Sequence, residues 1–543
     1  MTRPLSITSF LLAAVVAPQA LAQGLNTAPA PPDAAGPAPR ATSPSSGPAT
    51  GQGSEAKPQS TLSMDPAAPE MSSLPGGVTP AYGTVSTKPG DWRFDYHGLL
   101  FVPLRIGFNT RSSPQPGQER TVLHAPPVVP EDFTSFGYTN VVPAPWGQVN
   151  FSIGNRDVTA TVIIAARTFA EGESFYNPPD HLGLNDAFVT FREVTNERLR
   201  MKLDVGAFAN RYGNMGEYDS GRYGTPVIAR IGGVGATQSA SYRLNEDTTF
   251  LGEAGFMGQL NKAPLGVEPA GWNGYLDPSA GTSFVPHLHA GLDYRTMFQL
   301  GVHVLRALSQ DDRATPNQQP DGFIDVLAAD ARLSMRRYGH LYLAVSEVAS
   351  HHARAVSDVI QILNAPGGSG LISPDYFGPN SQGGGDLTIV AAQYDLSVGN
   401  LLRYPAQFEG FGPDLFLSLF GIFTAVDSVD RSVDPVTGGK LYDGVKKLKY
   451  GAEVSYSPFG WLALSGRYDR VIGNLDDGRK TTAIFSPRLI FRSGYNARDQ
   501  LVLQYSRWFN GSEIFVSSGA PPRPDPAIRP DVDVLSLMVS MWW

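Results

Sequence analysis

From residue 92 onward, apolar and polar positions alternate with a period of two. Phe94, Tyr96, Gly98, Leu100, Val102, Leu104, Ile106 and Phe108 share one face of the first such segment. Asp95, His97, Leu99, Phe101, Pro103, Arg105 and Gly107 share the other. Successive side chains of a strand point to opposite faces, whereas a helix, at about 100° per residue, would mix the two sets. The segment outlasts the usual strand of about five or six residues. Long strands with one apolar face are what a bilayer core of about 30 Å demands of a tilted barrel. The pattern recurs and predicts eighteen strands, at 92–109, 146–154, 157–168, 184–194, 199–211, 228–243, 248–260, 284–295, 298–309, 323–336, 340–351, 386–398, 413–427, 447–457, 461–472, 481–493, 499–510 and 531–543. Two miscounted strands would leave sixteen.

The connections sort into two kinds. Short turns fall at 154–157, 195–198, 244–247, 294–296, 337–339, 457–460 and 493–497. Between them run long polar connections at 110–145, 169–183, 212–227, 261–283, 310–322, 352–385, 428–446, 473–480 and 511–530, with one intermediate turn at 399–412. Short periplasmic turns alternating with long outer loops are the layout of an outer-membrane barrel. A soluble sandwich has no reason to send every second loop long. The expected fold is therefore an all-β, transmembrane antiparallel barrel, and a soluble secreted β-protein is the lesser alternative.

The first 90 residues follow other rules. Arg3, the apolar run Phe10–Ala17, Pro18 and the small-residue site Ala20-Leu21-Ala22 read as a signal peptide over 1–22. Residues 23–90 hold thirteen prolines and one aromatic, Tyr82. Such a segment cannot bury enough apolar surface to offset the entropy of ordering it, so a disordered periplasmic tether is expected. The barrel then occupies 91–543.

Composition narrows the chemistry. With no cysteine, the chain has no disulfide, thiolate metal site or Cys nucleophile. A net charge of −8 argues against nucleic acid as a partner. No phosphate loop, HExxH or G-x-S-x-G is present. No enzyme activity and no cofactor are expected, and a catalytic site at the rim is a minor alternative. His287 and His289 share a strand face with a spacing that can chelate a metal, but no third ligand is evident and lumen histidines need none. His351-His352 reads as solvated, and the Asp-rich stretches 427–434 and 474–477 do not match the twelve-residue calcium loop. No metal is expected.

In the last strand Leu535, Leu537, Val539, Met541 and Trp543 alternate with neighbours that include Ser536 and Ser540. This end, together with the strand and loop pattern over 91–543, resembles a Gram-negative outer-membrane porin. Phe94-Asp95-Tyr96-His97-Gly98 also resembles the first strand of maltoporin-type sugar porins. The resemblance implies a water-filled channel for passive diffusion of small hydrophilic solutes, saccharides among them. It implies a homotrimer, contacts with outer-membrane lipid and lipopolysaccharide, and a barrel assembly machinery that reads Leu537, Val539, Met541 and Trp543. It also implies that the third long loop, 212–227, folds into the lumen, where Tyr212, Tyr218, Arg222 and Tyr223 would form a constriction; a surface or interfacial position for its tyrosines is the alternative. A barrel plugged by its loops, structural or adhesive, is the alternative function.

If apolar positions face lipid, their neighbours face the lumen. A charge on the lipid face costs about 2–4 kcal/mol at the midplane. On that rule Arg200, Lys202, Asp204, Asp330, Arg332, Ser334, Arg336, Ser465, Arg467, Asp469, Ser486, Arg488 and Arg492 point inward, as do His287, His289 and Asp293. Both signs are present, which predicts a hydrated pore with a transverse field.

Overall fold

A computed structural model describes residues 92–108, 146–167, 182–194, 198–215, 225–260, 282–310 without 296, 322–351, 360–362, 385–402, 413–427, 445–476, 478, 481–492, 500–510 and 531–542. The expected signal peptide, the tether and most of the long connections lie outside them. Among the described residues no helix is long and apolar enough to cross a membrane.

Nineteen strands among the described residues form one antiparallel sheet. The first six are β1 (Arg93–Phe108), β2 (Trp146–Gly154), β3 (Val158–Arg167), β4 (Leu182–Val194), β5 (Leu199–Met215) and β6 (Thr225–Arg243). Then come β7 (Thr248–Leu260), β8 (Thr282–Tyr294), β9 (Phe298–Gln310), β10 (Phe323–Ser334), β11 (His340–His351) and the two-residue β12 (Ile360–Gln361). The rest are β13 (Gly385–Ser397), β14 (Asp414–Asp427), β15 (Val445–Phe459), β16 (Leu462–Ile472), β17 (Thr481–Arg492), β18 (Gln500–Asn510) and β19 (Asp531–Trp542).

Each wall strand pairs with its neighbours in sequence. β11 pairs directly with β13, and β1 closes on β19 with Leu100 opposite Met541 and Leu104 opposite Leu537. Closure removes the sheet edge and lets the backbone polar groups of the wall pair without water. The eighteen wall strands coincide with the predicted ones apart from their ends.

Alternation sorts the two faces. On β18, Leu501, Leu503, Tyr505 and Phe509 are exposed on the outside, whereas Val502, Gln504, Ser506 and Trp508 are buried inside. The same holds for Phe94, Tyr96, Leu104, Ile106 and Phe108 on β1. A continuous apolar outer surface of this extent has no stable contact with water and matches the lipid-facing band of a membrane barrel. A closed antiparallel barrel with such a belt is the outer-membrane architecture, and the chain is an outer-membrane β-barrel.

The turns follow from their residues. Asn155 Oδ1 accepts the backbone N–H groups of Asp157 and Val158, both at 2.9 Å, and Asn245 Oδ1 accepts that of Asp247 at 2.9 Å. Asp414 fixes the intermediate turn. It accepts the Ser397 hydroxyl at 2.6 Å and the Gly399 N–H at 2.7 Å, at the start of the short helix α1 (Val398–Leu402).

Two departures from the sequence reading matter. The tenth strand ends at Ser334, and Arg336 lies in a one-turn 3-10 helix, Arg336–Tyr338, exposed and with φ +54°. The tight turn lifts it off the wall, so it is not the lumen residue that a strand reaching 336 would make it. The second departure is at the expected third loop. Its two ends are strand, since β5 runs to Met215 and β6 begins at Thr225. Wall pairing of β5 with β4 is last seen at Ala207, and that of β6 with β7 begins at Val234. The excess length of both strands forms a two-stranded hairpin that touches β10 and β11 inside the barrel. Gly206 sits where β5 leaves the wall. Its φ is +140°, and a Cβ there would lie 2.4 Å from the Ala187 carbonyl oxygen, so only glycine fits.

Candidate functional site in the lumen

The inward hairpin turns into the lumen and docks on an apolar wall. Phe208, Tyr212, Ile228, Ala229 and Ile231 pack in one cluster with Met257, Val285, Leu305, Ile324, Val326, Val348, Leu387 and Ile389. Ile360 and Ile362 join the same cluster, and β12 pairs with β6 through Ile360–Ile231 and Gln361–Arg230. A segment of the long connection between β11 and β13 thus adds a third strand to the hairpin. Nothing in the sequence reading anticipated this strand, although the alternation of Ile360, Gln361 and Ile362 carries its signal.

Of the loop residues expected at the constriction, Tyr212 is on the inner face of the hairpin, and Tyr218, Arg222 and Tyr223 lie outside the described residues. Tyr212 is only 4% exposed and is no platform for a passing solute. Its hydroxyl donates to Glu253 Oε1 on β7 at 2.9 Å, and its ring meets those of His303 at 5.5 Å and His287 at 6.0 Å. His289 and His303 are cross-strand partners on β8 and β9. Their Nδ1 atoms are 3.0 Å apart and their rings stack at 4.4 Å between centroids. His303 Nε2 contacts Asp330 Oδ1 on β10. His287 Nε2 lies 3.2 Å from the Thr237 hydroxyl and 3.8 Å from Glu253 Oε1. Sequence reading put His287, His289 and Asp330 on this surface but did not single out Glu253 or His303. Only the register, which sets Glu253, His289 and His303 side by side on three strands, brings them together.

A second group is ionic. Arg467 on β16 donates through Nε and Nη2 to the two carboxylate oxygens of Asp469, each at 2.8 Å. Glu453 on β15 lies 3.4 Å from Arg488 Nη1 on β17 and 3.9 Å from Arg467 Nη1, and it accepts the Ser465 hydroxyl at 2.6 Å. Phe420 on β14 presents its face to the Arg467 guanidinium at 5.0 Å and the Lys449 ammonium at 5.9 Å. Lys447, Lys449, Arg467, Arg488, Glu453, Asp469 and Ser486 are all buried. Lys447, Lys449 and Glu453 were not in the sequence-derived set, yet they occupy inward positions on β15.

Elsewhere, Lys202 Nζ bridges to Asp204 Oδ2 at 2.8 Å, and Asp204 accepts the Thr190 hydroxyl at 2.6 Å. Arg200 is half-buried on β5. Arg332 places its guanidinium over the Tyr342 ring at 5.7 Å. The Arg492 side chain and Trp543 lie outside the described residues, whereas Leu537, Val539 and Met541 are exposed on the lipid face of β19. Among the described residues no group of three or more His, Asp or Glu is arranged to hold a metal ion.

No protein-family model matches the chain, and no curated protein matches it. Solved structures similar to it include OccK3 (OpdO) of Pseudomonas aeruginosa, at 12% identity over 83% of this chain and 96% of the other, with a TM-score of 0.37. OmpT, an outer membrane protein of Vibrio cholerae, is similar at 8% identity over 84% of this chain and 99% of the other, with a TM-score of 0.35. OccD3 (OpdP) of Pseudomonas aeruginosa is similar at 8% identity over 85% and 93%, with a TM-score of 0.35. At these values the likenesses add no argument to the barrel's own geometry.

Proposed function

We propose that the chain is an outer-membrane channel through which small hydrophilic solutes, saccharides among them, diffuse down their gradients. The observation that carries this reading is the division of inward and outward side chains. Asp204, Glu253, Asp330, Arg467, Asp469 and Arg488 all turn away from the lipid face, and the β5–β6 hairpin turns into the interior. Fixed charges of both signs would set a transverse field that favours neutral or zwitterionic solutes over simple ions. The candidate lining is Arg200, Lys202, Asp204, Asp330, Arg332, Arg467, Asp469 and Arg488, and export by residues 1–22 and a homotrimer belong to the same reading. So do lipopolysaccharide in the outer leaflet and an assembly machinery that reads Leu537, Val539, Met541 and Trp543.

A second reading has its own support. Arg467 and Asp469 are 0% and 1% exposed, less than a wide water-filled lumen would leave them. A barrel closed by its loops, with a structural or adhesive role, accounts for that burial. Single-channel recording of the exported protein in a planar bilayer separates the two. Discrete long-lived open steps, reduced by added saccharide, support the channel, and steps in threes support the trimer. Insertion without conductance would overturn the channel and leave the closed barrel.

A further inference from the structure

One polar tie of the hairpin to the β7–β10 wall runs through groups that bind protons. Tyr212 gives its hydroxyl hydrogen to Glu253 Oε1, and His287 Nε2 stands 3.8 Å from that same oxygen. The edge of the Tyr212 ring rests on His303, which stacks on His289. At 3.0 Å the two Nδ1 atoms accommodate one N–H and one lone pair, so the pair holds a single proton between its facing nitrogens. A second proton there sets two N–H groups against each other and makes one of the two rings positive. His303 cannot move away freely, because Asp330 holds its other nitrogen.

We infer that His287, His289 and His303 form a proton-operated latch on the β5–β6 hairpin. With the histidines neutral, Tyr212 keeps Glu253 and packs on His303. On protonation, His287 draws Glu253 Oε1 away from Tyr212, and repulsion between His289 and His303 disturbs the ring on which Tyr212 rests. Both events act on one side chain and loosen the hairpin. The charged and titratable groups on the surrounding strands are Lys202 and Asp204 on β5, Arg230 on β6, Glu253 on β7, Asp293 on β8, and Asp330 and Arg332 on β10. Of these, Glu253 and Asp330 touch the histidines and set the response. Solute flow as the output of the latch rests on the channel reading; the loosening itself does not.

The test is hydrogen exchange of the full-length protein in lipid vesicles between about pH 8 and about pH 4, an interval that reaches below the ordinary charge change of histidine. After correction for the intrinsic pH dependence of exchange, amides of 208–215 and 225–233 are expected to lose protection by about tenfold at the acid end. That corresponds to the loss of one hydrogen bond to a charged acceptor. The triple variant His287→Gln, His289→Gln, His303→Gln is expected to lose the pH response with the wall strands still protected. Should the triple variant not fold, Tyr212→Phe serves, with the hairpin already loosened at the alkaline end. A wild-type hairpin whose protection ignores pH, or a triple variant that keeps the wild-type response, overturns the latch. Conductance of the same preparations reads the output. A pH-dependent current supports control of flow, and a steady current above a responding hairpin overturns that control. Silence at every pH overturns the channel and leaves the exchange to judge the latch.

Discussion

The lumen has two walls of opposite character. Along β8–β13 the inward residues toward the long-loop end are apolar, with Val285, Leu305, Ile324, Val326, Val348, Leu387 and Ile389 buried under the hairpin. Along β15–β17 the inward residues include Lys447, Lys449, Glu453, Arg467, Asp469 and Arg488, also buried. The same period-two rule produced both, but the two walls are stabilised differently. The first gains from removing apolar surface from water, at roughly 25 cal/mol per Å². The second gains only when each charge has a well-placed partner, because desolvation opposes every buried ion. An apolar inner wall therefore marks where a protein segment docks, and an ionic one marks where paired charges face the lumen.

The sharpest way to break the ionic wall is Asp469→Ala. It strips Arg467, 0% exposed, of its two-pronged partner, and a loss of about 3–5 kcal/mol is expected. Urea unfolding from detergent micelles reads that loss. Replacing both Arg467 and Asp469 by apolar residues of similar volume should restore most of it, which would show that the penalty comes from the uncompensated charge.

The apolar wall is broken by Ile231→Ala, which removes a fully buried side chain where the hairpin, β12 and the wall converge. A cost of about 2–5 kcal/mol is expected for such a truncation. It should fall on the hairpin, seen as faster proteolysis near 216–224 while wall strands keep their protection. Equal loosening of the whole barrel would contradict the separate docking of the hairpin.

A smaller change probes the histidine cluster within the first wall. Gly301 lies opposite Asp330, and a Cβ there would sit 2.6 Å from Asp330 Oδ1 and 3.0 Å from His303 Nε2. Gly301→Ala should push Asp330 off His303 at about 1–3 kcal/mol. The expected reading is a lower melting temperature and a shifted pH response of the hairpin, with the ionic wall unaltered.

The smallest effect belongs to neither wall. In the turn joining β6 to β7, Asp247 accepts Arg295 Nη2 at 2.7 Å. That hydrogen bond holds its carboxyl below the ordinary carboxylate range. A depressed carboxylate stabilises the fold above its unfolded value, and the contribution disappears as pH falls through the folded one. The pair is exposed, so Asp247→Asn should shift stability barely measurably and only at low salt. Thermal melts at two ionic strengths check this.

How much of this was legible in the residues follows from the same contrast. The wall strands were readable because lipid on one side forces alternation that survives in Leu501 to Phe509 or Phe94 to Phe108. The hairpin's entry was partly readable, since 212–227 was expected in the lumen, but Tyr212 was expected to meet solute and instead is buried. The apolar wall was overlooked because Ile324, Val326 and Ala328 alternate with Leu327, so both faces of β10 read as apolar. Strands covered on both sides give near-continuous apolar runs, and in a barrel such a run signals a docked inner segment. The histidine cluster was half visible: His287 and His289 share one strand, but His303 and Glu253 join them only through register, which one sequence does not encode locally.

The two-residue strand β12 has a further consequence. Its pairing joins Ile360 to Ile231, positions far apart in the chain, so the inner platform is complete only once the eleventh strand has been made and its following segment has come back across the barrel. Contacts of such long range form late. Yet the entropy of closing a loop grows only slowly with its length. The length of chain on either side of Ile360–Ile362 can therefore change at little cost to the inner platform. The inner platform and the connections that lead to it are free to evolve apart.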